Sequence, residues 1–277
     1  MMPTFEIIIP VFNAYDETRA CLESVVRHTS PHHRVLVIDD ASTDSRIPGL
    51  LNEFADRHAQ FRCHRMVKNS GFVATTNWGM SHSSLDVVLL NSDTIVTAGW
   101  LERLSNCLSV NPKAGIASPL SNNAFILSFP RNNFPNELPP NVSLDEYATA
   151  LAKVSHREYP EIPTAVGFCM LIQRRVIQTI GLFDPMFLDG YGEEMDFSYR
   201  AIKAGFVVVC ADDTFVYHKG SSSFTDEARS YYLHRRAEKI LDAFWSNYPD
   251  DVIQFIESNR FACLAKRVES ALANYPG

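Results

Sequence analysis

Four groups of polar residues in this 277-residue chain have the types and positions that chemistry at a charged ligand requires. Val37-Ile38-Asp39-Asp40-Ala41-Ser42 and Leu89-Leu90-Asn91-Ser92-Asp93 each close an apolar run with acids and neighbouring oxygen ligands. Glu193-Glu194-Met195-Asp196 forms a third acidic group, and His218 closes the run Thr214-Phe215-Val216-Tyr217-His218. Carboxylates with adjacent oxygen ligands suit a hard divalent cation, and such a cation neutralises a diphosphate. One Asp after a strand is explained as well by helix capping; the combination of four is not.

Elements that alternate strand and helix must present these groups. In the first half, short β-branched apolar runs alternate with longer amphipathic stretches, the pattern of an α/β chain. The runs predict strands over Phe5–Phe12, Arg34–Asp39, Phe61–Val67, Asp86–Asn91 and Gly115–Pro119, with helices over 16–28, 45–58, 72–83 and 98–110. Their continuous apolar character is that of a buried parallel sheet. Asp44 reads as a cap after Ser42-Thr43, and Thr97-Ala98-Gly99-Trp100-Leu101 as a helix opening. Between 121 and 163 the pattern gives way to Asn and Pro, an irregular surface insertion with one helix predicted over Leu144–Val154. A strand over 165–173, a helix over 174–180, a helix running to Ala204, and two separate strands, Phe206–Cys210 and Thr214–His218, follow. Beyond Ser223 the chain reads as helical, ending in one amphipathic stretch from Asp251 to Ala273. In an open sheet of this kind ligands bind beyond the carboxyl ends of the strands, where the polar groups lie.

Composition narrows the function classes. Hydrophobic residues make up 46% of the chain, enough for a sizeable core. The net charge of −7 supplies no basic field to displace phosphate counterions, so nucleic acid is not the expected partner. Six cysteines (Cys21, Cys63, Cys107, Cys169, Cys210 and Cys263) lack C-x-x-C or metal-ligand spacing and are expected to be reduced thiols of a cytoplasmic protein. The short apolar run at the start has no basic flank, so no signal peptide is expected, and no run is long enough to span a membrane. Gly190-Tyr191-Gly192 suggests a dinucleotide fingerprint only superficially, because Met195 stands where its third glycine belongs.

Taken in order, IIIPVFNA, VIDDASTD, KNSGFVATTNWGM, VVLLNSDT with GWL, GFCMLIQRRV, GLFDPMFLDGYGEEMDFSYRAIKAGF and VYHKGSSSF resemble the family-2 glycosyltransferases of the GT-A fold, in the rhamnosyl- and galactofuranosyltransferase-like branch. The resemblance covers roughly residues 4–225. It implies a mostly parallel central sheet flanked by helices, as a GT-A domain over 1–225 with the insertion 121–163, followed by a helical C-terminal extension over 226–277.

It also implies roles. Pro10, Phe12 and Asn13 line the nucleotide pocket at the end of the first strand, and Asp39 accepts from a base ring N–H. Lys68, Asn69, Gly71 and Asn77 lie along the donor nucleotide. Asn91-Ser92-Asp93 takes the place of the family's D-x-D motif with Asn for the first acid, so Asp93 is the metal ligand while Asn91 and Ser92 face the nucleotide. His218 is the second protein ligand to Mn²⁺ or Mg²⁺, its imidazole favouring Mn²⁺. Inverting transfer needs a base for the acceptor hydroxyl. The second acid of the family's pair maps onto Glu194, with Glu193 orienting the acceptor, and the assignment between the two is open. Trp100, Tyr191 and Phe168 are candidates to stack on a sugar, with core packing the alternative for Phe168. Asp196 reads as a first-turn acid.

The expected partners are a nucleotide diphosphate sugar, UDP- or dTDP-linked, and a glycan or lipid-linked glycan acceptor in bacterial surface polysaccharide assembly. The stretch Tyr231-Tyr232-Leu233-His234-Arg235-Arg236 offers closure over the diphosphate or peripheral contact with a lipid-bearing acceptor at the inner membrane face, with a solvated helix face that turns Tyr inward as the alternative. The C-terminal helices offer a homo-oligomer surface. Two rival readings are a sugar nucleotidyltransferase, whose Gly-rich basic loop PVFNAYDETR lacks, and a non-catalytic sugar-nucleotide-binding module, which the departures at Asn91 and Glu194 leave open.

Overall fold

The protein, described by a computed structural model over residues 3–187, 190–220 and 227–273, begins as a succession of βα units. These are β1 (Phe5–Val11), α1 (Tyr15–His28), β2 (Arg34–Asp39), α2 (Arg46–Arg57), β3 (Phe61–Arg65), α3 (Phe72–Ser81) and β4 (Asp86–Leu90). Then come β5 (Thr94–Ile95), α4 (Trp100–Val110), β6 (Ala114–Leu120), α5 (Leu144–Val154), β7 (Cys169–Ile172) and α6 (Arg174–Ile180). The chain continues through α7 (Glu193–Lys203), β8 (Val207–Phe215), β9 (Tyr217–His218), α8 (Glu227–Phe244), α9 (Tyr248–Glu257) and α10 (Ala262–Ala273). The seven-stranded sheet has the order β3-β2-β1-β4-β7-β6-β8, and only β7 runs antiparallel to its neighbours. A second, two-stranded sheet pairs β5 with β9.

The continuous runs IIIPV, VLVI and DVVLL arise because helices cover both faces of the sheet: Ile7, Ile8, Ile9, Val37, Ile38 and Val88 are fully buried. α3 lies so close that a Cβ on Gly79 would stand 2.7 Å from Ile8 Cγ2 and 2.8 Å from Ile38 Cδ1. That contact requires glycine.

Several expected elements differ. The strand expected over 165–173 narrows to β7. The two strands expected over Phe206–Cys210 and Thr214–His218 are one nine-residue strand, β8, then the short β9. Asp212 and Asp213, which read as a break, are buried within β8 because the 155–159 segment satisfies them. Ser155 Oγ and the Tyr159 amide donate to Asp212 at 2.9 and 3.1 Å, and Tyr159 Oη donates to Asp213 at 3.1 Å. β5 is too short for any periodicity to mark. The stretch Asp251–Ala273 divides into α9 and α10 where Asn259 takes a left-handed conformation (φ 43°).

The insertion at 121–163 is anchored in the core at both ends, where Ile126, Leu127, Phe129, Tyr147 and Leu151 are buried, while most of 130–143 faces solvent. Its helix, α5, starts at the capping box of Ser143 and Glu146. α10 packs on α5, and Phe255, Phe261, Leu264 and Val268 join the main core, so the C-terminal extension is continuous with the domain. All six cysteines are free thiols. No helix among the described residues is long and apolar enough to cross a membrane.

Candidate active site

The carboxyl ends of β1, β2 and β4 open on one side of the sheet. At β2, Asp39 is 1% exposed; its Oδ1 accepts from the Ser42 amide at 2.7 Å and its Oδ2 pairs with Arg65. Asn13, left-handed at φ 58°, joins the first and second strand-to-helix loops: its Oδ1 accepts from the Thr43 and Asp44 amides at 2.9 Å each. Pro10 pairs in register with Ile38, and Phe12 is half-buried beside it. Asp40, buried, takes the Ser70 and Gly71 amides at 2.8 and 2.9 Å. It thereby holds the loop carrying the exposed Lys68 and Asn69. Burial pushes the Asp40 carboxyl above the usual range.

At the end of β4, Asn91 is partly exposed, Ser92 buried and Asp93 partly exposed. The pairing of β5 with β9, Thr94 opposite His218, brings Asp93 to His218. Nε2 of His218 stands 3.4 Å from Asp93 Oδ1. Its Nδ1 lies 2.7 Å from the Asn123 carbonyl, which can only accept, so Nδ1 carries the proton. With Nδ1 so committed, Nε2 is the nitrogen that faces the Asp93 carboxylate, an arrangement that suits a proton or a cation between them. Asn122 fixes the His218 backbone from both sides, donating to its carbonyl at 2.9 Å and accepting from its amide at 2.8 Å. Phe168, 2% exposed, stacks on the imidazole at 5.2 Å and 21°. One nitrogen and one carboxylate oxygen are the donor set a Mn²⁺-type cation takes when a ligand and water supply the rest. Among the described residues no group of three or more His, Cys, Asp or Glu could hold a metal alone.

The acids at the head of α7 lie alongside. Gly192 caps the helix at φ 97°, where a Cβ would also press on Phe187 at 2.9 Å and Ala237 at 3.1 Å. Glu193 is 4% exposed and Glu194 partly so, yet Oε2 of each is shielded and has no hydrogen-bond partner among the described residues. Gly167 packs on the Glu194 carboxyl, so that a Cβ at Gly167 would stand 3.7 Å from its Cδ. Burial raises the affinity of both carboxyls for protons, and the neighbouring Glu194 pushes Glu193 further up. The Gly167 and Gly192 amides act against this at Glu194, favouring its ionised form. A shielded carboxylate oxygen with lone pairs to spare can take a hydroxyl donor from a ligand. Tyr191 packs its ring 3.8 Å from His234 of α8.

Three expectations change. Trp100 is fully buried and its Nε1 donates to Thr29 Oγ1 at 3.1 Å, so it presents no face to a sugar. Asn77 spends both ends of its amide on Phe183, donating to the carbonyl at 2.9 Å and accepting from the amide at 3.0 Å, and is a structural clamp. In the Tyr231–Arg236 stretch, Arg236 donates to the Met186 carbonyl and His234 meets Tyr191, so these two brace the loop before α7. Sequence reasoning missed Arg65, Asn122, Asn123 and Gly167. Only the SNN run at 121–123, rich in side chains that bond backbone, signalled any of them.

The profile of Glycosyl transferase family 2 matches residues 6–181. O-antigen biosynthesis protein RfbC of Myxococcus xanthus is 24% identical over 270 residues, which is 89% of this chain and 19% of that protein. Polypeptide N-acetylgalactosaminyltransferase 3 of Taeniopygia guttata is 22% identical over 298 residues, 97% of this chain and 47% of that protein. The chain thus spans under half the length of these two relatives. Among solved structures, GalNAc-T7 with UDP, GalNAc and Mn²⁺ superimposes with a TM-score of 0.66 at 16% identity, covering 98% of this chain and 55% of that one. The mannosyltransferase PcManGT of Pyrobaculum calidifontis, in complex with GDP-Man and Mn²⁺, gives 0.61 at 15% identity, covering 99% and 75%. The fold is that of the GT-A glycosyltransferases, and the chain belongs to glycosyl transferase family 2.

Proposed function

We propose that this protein transfers a sugar, with inversion, from a UDP- or dTDP-linked donor to a hydroxyl of a free or lipid-linked glycan. The observation that carries this reading is that two consecutive residues touch two differently equipped groups: Phe168 stacks on His218 of the Asp93–His218 pair, and Gly167 packs on the Glu194 carboxyl at the head of α7. Asp39, beneath the β1 and β2 loops, suits the ring N–H of uracil or thymine. Asp93 and His218 would hold Mn²⁺ or Mg²⁺, and that cation, bound with the diphosphate, supplies charge neutralisation of the leaving group.

The remaining work falls to side chains. The acceptor oxygen forms its bond to the anomeric carbon as the bond from that carbon to the diphosphate oxygen breaks, and the electron pair leaves with the nucleoside diphosphate. The acceptor's proton passes to the Glu194 carboxylate, while Glu193 and the Tyr191 ring orient the acceptor. Similarity to RfbC and to UDP- and Mn²⁺-bound GalNAc-T7 supports the setting in surface polysaccharide synthesis and the donor class. Glu194→Gln is the test. It keeps the shape of the site but removes the base, so donor binding persists and transfer falls by at least ~10²-fold. Normal turnover would move the base to Glu193, and stoichiometric donor binding without turnover in the wild-type protein would favour a binding module.

A further inference from the structure

The extension beyond residue 226 is bonded to the helix that carries the two acids, through consecutive turns. Trp245 Nε1 donates to Asp196 Oδ1 at 3.0 Å, Tyr248 Oη donates to Met195 Sδ at 2.8 Å, and Tyr199 Oη donates to Asp251 Oδ2 at 2.6 Å. The Trp245 and Tyr199 rings pack 5.5 Å apart. Asp196 is buried, and its second oxygen takes Arg200 Nε at 2.7 Å. The same guanidinium donates to the Ile180 and Leu182 carbonyls at 2.8 and 2.9 Å. Asp196 therefore joins the extension, α7 and the loop after α6 in one polar junction, two residues after Glu194. On the opposite side of the acids, Ala237 of α8 lies against Gly192, and His234 lies against Tyr191.

We infer that Trp245 is a positioning residue for sugar transfer: its indole N–H, through Asp196, fixes the first turn of α7 and with it the shielded setting of Glu193 and Glu194. A buried carboxylate deprived of one donor turns towards water or another partner, and the helix turn that carries it moves with it. The site then opens at the two acids while the β1, β2 and β4 loops, with which Trp245 makes no hydrogen bond or ring contact among the described residues, stay in place. The inference rests on the reading of Glu194 as the base, and it assigns the C-terminal extension to the acceptor side of the reaction.

Trp245→Phe keeps most of the ring and deletes the donor. The probe is a ¹³C NMR titration of glutamate-labelled full-length protein, with Glu193→Gln and Glu194→Gln spectra to assign the signals, alongside calorimetric binding of UDP in Mn²⁺. Among the described residues the titratable groups facing Glu194 are Glu193 and, from the extension, Tyr248. In Trp245→Phe the elevated titrations of Glu193 and Glu194 move down by about one pH unit or more as water reaches them, and UDP affinity stays within about twofold. Tyr248→Phe, which loses the hydroxyl that reaches Met195 and faces Glu194, gives a smaller shift in the same direction and serves if Trp245→Phe does not fold. Unchanged titrations in a folded variant overturn the inference and leave Trp245 a packing residue. Because the titration needs no substrate, its outcome is separate from whether Glu194→Gln abolishes transfer.

Discussion

His218 meets Asp93 at 3.4 Å through Nε2 because its other nitrogen is committed to the Asn123 carbonyl at 2.7 Å. Second partners of this kind set both the tautomer and the aim of a metal-binding imidazole. Asn122→Ala, which frees the His218 backbone, is therefore expected to weaken Mn²⁺-dependent nucleotide binding about 10- to 100-fold. Calorimetry with and without Mn²⁺ checks this, and metal-independent binding stays unchanged.

The acids of α7 predict a pH dependence. Their folded-state proton affinity is raised, so Glu194 becomes ionised, and able to accept a proton, only above the usual carboxylate range of about 4 to 4.5. The acid limb of kcat against pH is expected to lie higher than that range. For stability the sign is the reverse of the usual carboxylate case. The contribution is fully present below the unfolded pKa and is lost as pH rises towards the folded value. Glu193→Gln removes that loss, so it raises the melting temperature more at about pH 8 than at about pH 5.

Trp100 and Asn77 should behave as scaffold. Trp100→Ala empties a fully buried site and is expected to cost ~3–5 kcal/mol in denaturant unfolding. Asn77→Ala orphans both Phe183 backbone groups and is expected to cost ~1–3 kcal/mol. In the folded fraction of either variant, acceptor KM and donor affinity remain those of the wild type. A raised acceptor KM in folded Trp100→Phe would return that residue to the sugar site.

Asp40 predicts a loop effect. Asp40→Ala releases the Ser70 and Gly71 amides, so the 68–71 loop gains hydrogen-exchange rate while β2 does not.

Much of this was legible in the chain. Strand ends set by apolar runs located Asp39, Asp40, Asn91 and Asp93, because a two-sided buried sheet leaves little choice of where polar residues begin. The end of the run Thr214–His218 marked His218 in the same way and the resemblance gave it a metal-ligand role, although the pairing that carries it to Asp93 belongs to β5 and β9, each two residues long and below any periodic signal. Asp212 and Asp213 misled, since a strand accommodates buried carboxylates when a distant segment supplies donors. Trp100 misled in the other direction: an aromatic near a strand end reads alike whether it faces a sugar or the core. The junction of Asp196 with Trp245 is a contact between distant segments, and no local pattern marks it.

A metal-assisted nucleotide-sugar site at the end of β4 is tested by calorimetric titration of UDP, dTDP and GDP into the wild-type protein and Asp93→Ala, each with and without Mn²⁺. UDP or dTDP is expected to bind best, Mn²⁺ to tighten binding, and Asp93→Ala to lose the Mn²⁺ increment. Binding indifferent to both Mn²⁺ and Asp93, or no binding of any nucleotide, would contradict such a site.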